Sequence, residues 1–265
     1  EGVSGGWIGD LRARHVAIAD GDGVWLEAEN LSLAWRPLDL LGGTLRIDAG
    51  HADAITIHRR PTLTEKRPVR GDGVDVVLGG VAVDDLHIAE AAYGEDGHFT
   101  LALGLHVRDK ALTLLGFELR RTDSDADRAI ARYDSGADFV LALDIEGQAG
   151  GILASLVGAP ESAMRITGEG DGDTENGEAE FAATIGGEGL ARGAISWTPT
   201  RWRLDGGADL GLLPATRTIA RRIGASLALN ASGARRGEFT AHGETPFLGL
   251  DLSGALDDDG ALDGP

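Results

Sequence analysis

The chain has 265 residues, 42% of them hydrophobic and 25% charged, with a net charge of −19, 41 glycines, 8 prolines and no cysteine. That apolar fraction can build a core, so the composition is not that of a disordered chain. The acidic balance excludes a phosphate-neutralising nucleic-acid surface and a basic membrane-docking patch, and the missing cysteines exclude disulfides, thiolate zinc sites and thiol catalysis.

Taken in order, Gly5 and Gly6 lead into Trp7 and Ile8, and a strand is predicted over residues 11–19. Asp20-Gly21-Asp22-Gly23 reverses the chain, as Asp-Gly pairs do in hairpins. Val24, Leu26 and Ala28 then share one face, whereas Leu31, Leu33 and Trp35 carry the apolar side further on. Two alternations out of phase by one residue predict a bulge or break near Asn30. Pro37 suits the first turn of a helix, and Leu38, Leu40 and Leu41 form a short apolar turn stopped at Gly42-Gly43. Strands resume at Leu45 and Ile47 and at Ile55 and Ile57, and the stretch 61–73 is the most polar and basic loop of the chain.

The middle alternates strictly. Phe99, Leu101, Leu103, Leu105 and Val107 alternate with small or polar residues, as do Leu115, Phe117 and Leu119, and then Phe139, Leu141, Leu143 and Ile145. Period 2 gives each strand one dry and one wet face, and the turn clusters between them predict an antiparallel meander. Two short helices are expected, at 150–158 before Pro160 and at 214–223 before Gly224. Strands return after each. No linker separates two cores, so residues 1–265 read as a single elongated β unit. It comprises an opening module at 1–61, meanders at 74–147, 163–210 and 226–256, and the two helices between them. Some 16–20 strands at about 4.8 Å would extend 75–95 Å, and a sheet that long must close, split or curl. The predicted fold is therefore all-β: an elongated, strongly twisted antiparallel meander folded into a U-shaped groove with an apolar interior.

Chemistry-bearing motifs are sparse. Gly2-Val3-Ser4-Gly5-Gly6 fits the nucleophile-elbow pattern but lacks the preceding strand that the motif requires. Seven histidines are scattered without zinc-type sequence spacing. Asp171-Gly172-Asp173-Thr174-Glu175 lacks the Gly and Glu that a calcium loop needs at its sixth and twelfth places, and reads as an acidic hairpin tip. No enzyme, cofactor or metal is expected. No apolar run reaches the ~18 residues that span a bilayer, and no basic region followed by an apolar signal core opens the sequence. Glu1 opens mid-pattern and Pro265 closes on a turn signal, so the sequence reads as a piece of a longer chain.

Two blocks carry a resemblance. The first runs Gly6-Trp7-Ile8-Gly9, Asp20 to Gly23 with Val24-Trp25-Leu26, Leu31-Ser32-Leu33-Ala34-Trp35-Arg36-Pro37, Leu40-Leu41-Gly42-Gly43 with Leu45 and Ile47, and Arg60-Pro61. The second runs from Gly150-Gly151-Ile152-Leu153-Ala154-Ser155-Leu156 to Val157-Gly158-Ala159-Pro160, then Ile166-Thr167-Gly168-Glu169-Gly170. In order and spacing these resemble the N-terminal periplasmic region of the translocation and assembly module (TamB) family, within the wider AsmA-like group. They cover about a third of the chain. The resemblance implies a periplasmic segment of an inner-membrane-anchored protein, its anchor lying upstream of Glu1. It further implies a long folded sheet with an apolar groove, an outer-membrane barrel partner, and a part in outer-membrane protein assembly, secretion or phospholipid movement.

Three functions remain in view: a lipid conduit, a scaffold that takes client strands by β-augmentation, and a closed sandwich core in which alternation looks the same. For the conduit, the expected lining facing phospholipid acyl chains is Phe99, Leu101, Leu103, Leu105, Val107, Phe139, Leu141, Leu143 and Ile145. Leu40 and Leu41 are expected to cap one end of the groove, buried against the first strands.

Overall fold

The computed structural model describes residues 3–5, 9–62, 74–256 and 262–263. Among them seventeen strands form one sheet. In chain order they are β1 (Val3–Gly5), β2 (Gly9–Asp20), β3 (Gly23–Trp35), β4 (Thr44–Ile57), β5 (Asp75–Ile88) and β6 (Gly97–Arg108). Then come β7 (Ala111–Arg121), β8 (Asp127–Ser135), β9 (Asp138–Gly147), β10 (Met164–Asp173), β11 (Gly177–Ile185) and β12 (Glu188–Trp197). The last are β13 (Arg201–Asp209), β14 (Ser226–Ala234), β15 (Gly237–Thr245), β16 (Leu248–Leu256) and β17 (Leu262–Asp263). Each strand pairs with its neighbour in sequence, and every pair but one is antiparallel. Seventeen strands make sixteen steps, or about 77 Å across the strands.

The sheet is open rather than compact. Its accessible surface is 16620 Å² for 27.5 kDa, against about 11,000 Å² for a compact monomer of that mass. Phe99 and Ile152 are the only large side chains fully buried among the described residues. The elongated, curled all-β reading of the alternation is what the chain adopts.

One pair departs from the expected antiparallel meander. β4 and β5 run parallel, with Thr44 opposite Asp75 and Ile57 opposite Ile88. Parallel strands cannot be joined by a tight turn. Instead, the chain leaving β4 docks on the β2–β3 turn. The Arg59 guanidinium pairs with the Asp20 carboxylate and donates to the Gly23 carbonyl at 2.7 Å. The Thr62 amide donates to Asp20 Oδ2 at 2.7 Å, and its hydroxyl to Asp22 Oδ2 at 2.6 Å. Arg59 first, and the Thr62 amide second, hold the Asp20 carboxyl well below the usual carboxylate range. Residues 63–73 of the basic loop, like Gly2, Gly6, Trp7 and Ile8, lie outside the described residues.

Asn30 carries the predicted phase slip: it takes φ 49°, and Ala28 and Leu31 lie on the same face on either side of it. Its side-chain amide donates to Asp53 Oδ2 at 2.7 Å, which helps fix this unusual backbone. Among the described residues three α-helices form: α1 (Glu90–Tyr93), α2 (Ile152–Leu156) and α3 (Arg217–Ile223). The last two fall inside the predicted segments but are shorter, and α1 was not foreseen. Four residues show too little periodicity to betray a helix.

The Pro37–Gly42 turn is 3₁₀ and ends on Gly43 at φ 80°. Here one expectation is overturned. Leu41 is 87% exposed and Leu40 43%, so neither caps the groove. All three α-helices close strand ends at Ile88, Gly147 and Asp209, on one side of the sheet, whereas this turn joins Trp35 to Thr44 at the opposite side. A 3₁₀ turn between two antiparallel strands projects beyond the strand ends, and no described element lies over it.

Candidate functional site

Register turns the alternation of single strands into one continuous face. A row of direct partners runs Leu33, Gly50, Val81, Leu103, Phe117, Ala131, Leu143 across β3 to β9. The same row continues through Gly168, Phe181, Gly193, Gly206, Leu229, Gly243 to Leu250 across β10 to β16. Parallel rows lie on either side, for example Leu105–Leu115–Tyr133–Leu141 and Leu101–Leu119–Ala129–Ile145. Apolar residues and glycines thus share one face from β3 to β16, and every step of the row is a direct cross-strand partner.

Within the second half of the row, large residues stand against glycines. A side chain on Gly193 would come within 2.5 Å of the Phe181 ring, and one on Gly254 within 2.7 Å of the Phe239 ring. The aromatic rings thus occupy the space above these glycines. This cross-strand covering shields the backbone while keeping the surface shallow.

One side of the face is closed. Val83, Leu86, Ile88, Phe99, Leu119 and Ala129 form a buried core with Ala92 of α1 and Ile152 of α2. Asp127 on β8 fixes α2 there: its buried carboxylate accepts the Ile152 amide at 2.9 Å and the Leu153 amide at 3.4 Å. Burial pushes the Asp127 carboxyl up, and these two amides, with Arg121, pull against that. Arg121, 6% exposed, bridges Glu95 at 2.9 Å, Asp123 at 2.7 Å and Asp127 at 3.4 Å, and its guanidinium carbon sits 5.8 Å from the centre of the Phe99 ring. The Arg60 side chain secures α1 through a 2.6 Å hydrogen bond to the Ala92 carbonyl and lies 4.6 Å over the Tyr93 ring.

The opposite strand ends carry aromatics instead. Phe139 meets Tyr133 edge-on at 6.0 Å and Trp197 at 4.8 Å, and Trp202 lies 6.3 Å from Phe239. Trp197 and Trp202 are direct cross-strand partners. Together these rings form an aromatic rim along β8 to β15, facing the helix-closed rim across the apolar floor.

The nine expected lining residues all fall on this face, in two environments. Phe99 is fully buried (0% exposed), and Leu101 and Ile145 pack against the closed core. Leu103, Leu105, Val107, Phe139, Leu141 and Leu143 are half-buried along the open floor. Several apolar positions of this face are more accessible than the nine. Phe181, Ile195, Leu229, Leu250 and Leu252 lie on the same face and are exposed, Leu250 and Leu252 by more than half.

The other face of the sheet is charged and solvated. Asp144 pairs with Arg128 and with Arg165, Arg203 with Asp205 at 2.5 Å, and His242 Nδ1 lies 2.7 Å from Asp251 Oδ1. Exposed pairs like these contribute little stability individually, but they keep that face wet. The acidic 171–175 stretch is a hairpin tip, where Asp173 Oδ1 accepts the Glu175 and Asn176 amides at 2.7 Å each. No helix among the described residues is long and apolar enough to cross a membrane. No family model, curated protein or solved structure matches this chain.

Proposed function

We propose that the chain is a periplasmic segment of an envelope-biogenesis protein of the TamB or AsmA-like kind, whose apolar face guides phospholipid acyl chains between membranes. The observation that carries this reading is the unbroken row of apolar and glycine positions from β3 to β16, half-buried to exposed except at Gly50 and Gly168, backed by a charged face. Each acyl CH₂ favours apolar surroundings over water by about 0.8 kcal/mol, so a two-chain lipid meets a barrier on the order of 20 kcal/mol in bare water. A continuous floor lowers that barrier without catalysis: the headgroup stays wet while the chains lie between the aromatic and helix-closed rims. Anchorage in an inner membrane and cooperation with an outer-membrane barrel belong to the same proposal and rest on the sequence resemblance.

The test is site-specific photo-crosslinking with an alkyne-tagged phospholipid. Probes at Leu103 and Leu141 on the apolar face are expected to capture lipid, and probes at Ala102 and Ala142 on the opposite face are not. Equal labelling of the two faces would sink the proposal.

A second reading, a scaffold for client strands, is favoured by one feature. β16 bonds to β15 from Leu248 to Leu256, but to β17 only at Ala255 and Leu256. The rest of its outer edge meets no described strand, which is the geometry that β-augmentation uses. Leu103→Asp separates the two readings, since it polarises the floor far from that edge. Loss of lipid capture with client binding intact supports the conduit, and the reverse supports the scaffold.

A further inference from the structure

We propose a zinc-type metal site on the charged face, formed by His87, His98 and Asp96 and oriented by Asp85. This site is independent of the lipid reading, because it lies on the opposite side of the sheet.

His87 and His98 are direct cross-strand partners on β5 and β6. Their rings stack with centroids 4.5 Å apart and planes within 7°. Asp96 follows α1 on the turn into β6, and its Oδ2 lies 2.9 Å from His87 Nε2. One ligand atom from each of His87, His98 and Asp96 falls within 4.8 Å of the others. Around a tetrahedral zinc, with bonds of about 2.0–2.2 Å, neighbouring ligand atoms stand about 3.3 Å apart. Closing on an ion draws these atoms inward and tilts the two rings out of their parallel stack, so that a nitrogen of each points at one place. Two imidazoles and one carboxylate form a set suited to a divalent first-row transition metal, with the fourth position left to water.

The second, independent observation is Asp85. Its Oδ1 sits 2.8 Å from His98 Nδ1. A carboxylate on one ring nitrogen fixes the tautomer and directs the other nitrogen outward as a ligand, the usual support of a metal-bound histidine. Asp85 reaches this place because β5 bulges. The register with β6 shifts between Val83 and Leu86, so Asp84 and Asp85 intervene between two inward-facing residues. Asp84 turns to His51 on β4, at 3.2 Å, and Asp85 turns to His98 on β6. The His51 cluster has a single imidazole with both ring nitrogens near carboxylates, Asp53 and Asp84. It is the weaker ligand set and serves as the internal control.

A metal here would clamp β5, β6 and the end of α1 together just behind the closed core. The test uses the tag-free chain stripped with EDTA, titrated with Zn(II) against a chromophoric chelator, and separately with Co(II), whose visible bands report tetrahedral coordination. One equivalent is expected to bind, with a rise in melting temperature. His87→Ala and His98→Ala should each weaken binding by at least about tenfold, and Asp85→Asn by roughly ten- to a hundredfold as an orienting residue. His51→Ala should leave it unchanged. All four positions are on the solvated face, and far-ultraviolet circular dichroism checks that each variant is folded. If the His87→Ala/His98→Ala double variant, folded, retains the wild-type stoichiometry and affinity, the ion is adventitious and the proposal fails. It fails equally if the wild-type chain takes up no zinc, or if Co(II) binds without tetrahedral bands.

Discussion

Strands β5–β9 and β11–β16 carry the same period-2 pattern, yet they bury very different amounts of it. In the first group, α1 and α2 cover one rim, Phe99 is fully buried and Arg121 is locked among three carboxylates. In the second, α3 buries only Ala220, and Phe181, Leu229, Leu250 and Leu252 stay exposed on the sheet. Cover, not alternation, is what differs. The first group is a folded core that supports a surface, and the second is surface supported mainly by its own ladder of hydrogen bonds.

This contrast breaks or sharpens first on paired truncations. Phe99→Ala should cost about 3–5 kcal/mol, because it opens a cavity beneath α2. Phe181→Ala should cost about 1 kcal/mol or less, since its ring already meets water. Urea unfolding measures both. Similar losses would show that the two halves are equally cored.

The next effect is local to the closed rim. Asp127→Ala removes the carboxylate that accepts two α2 amides and faces Arg121, leaving buried partners unmet. It should cost about 3 kcal/mol, with hydrogen exchange rising at residues 152–156 and remaining unchanged in β14–β16. A uniform rise across the sheet would mean that α2 is not a separate clasp.

The smallest effect lies at the open edge. His242 has its pKa raised, first by its hydrogen bond to Asp251 and then by that residue's charge. A raised histidine contributes stability that is fully present below its unfolded pKa of about 6.5 and is lost as pH rises through the folded value. Exchange at β16 amides, corrected for intrinsic rates, should therefore increase with pH above this point. His242→Ala should flatten the profile, and a wild-type profile that is already flat would remove the pairing from the account.

The alternating strands were legible because strict period 2 with Leu, Val and Phe leaves one register that keeps the apolar set together; Phe99 to Val107 and Phe139 to Ile145 are the clearest cases. The open half was harder to read. At Gly168, Gly193, Gly206 and Gly243 the inward position holds no side chain, so the apolar signal there comes from the partner strand. Only register shows that Phe181 covers Gly193. The parallel β4–β5 pair left no trace, because strand direction depends on where the intervening chain goes. The exposure of Leu40 and Leu41 also eluded the pattern, since apolar residues on a short turn imply burial only if something lies beside them. The histidine cluster escaped for a similar reason: His87 and His98 are eleven positions apart and meet only through β5–β6 pairing.

Nearest-neighbour pairing has a consequence for size. Because each described strand makes main-chain pairs only with those before and after it in sequence, no backbone pairing fixes how many strands the sheet must have. Duplicating or excising one hairpin, such as β14–β15, preserves the facing of every other strand and changes the span by about 9.6 Å. Such a chain is a ruler graduated in hairpins, and its reach can be reset by recombination while its surface chemistry is kept.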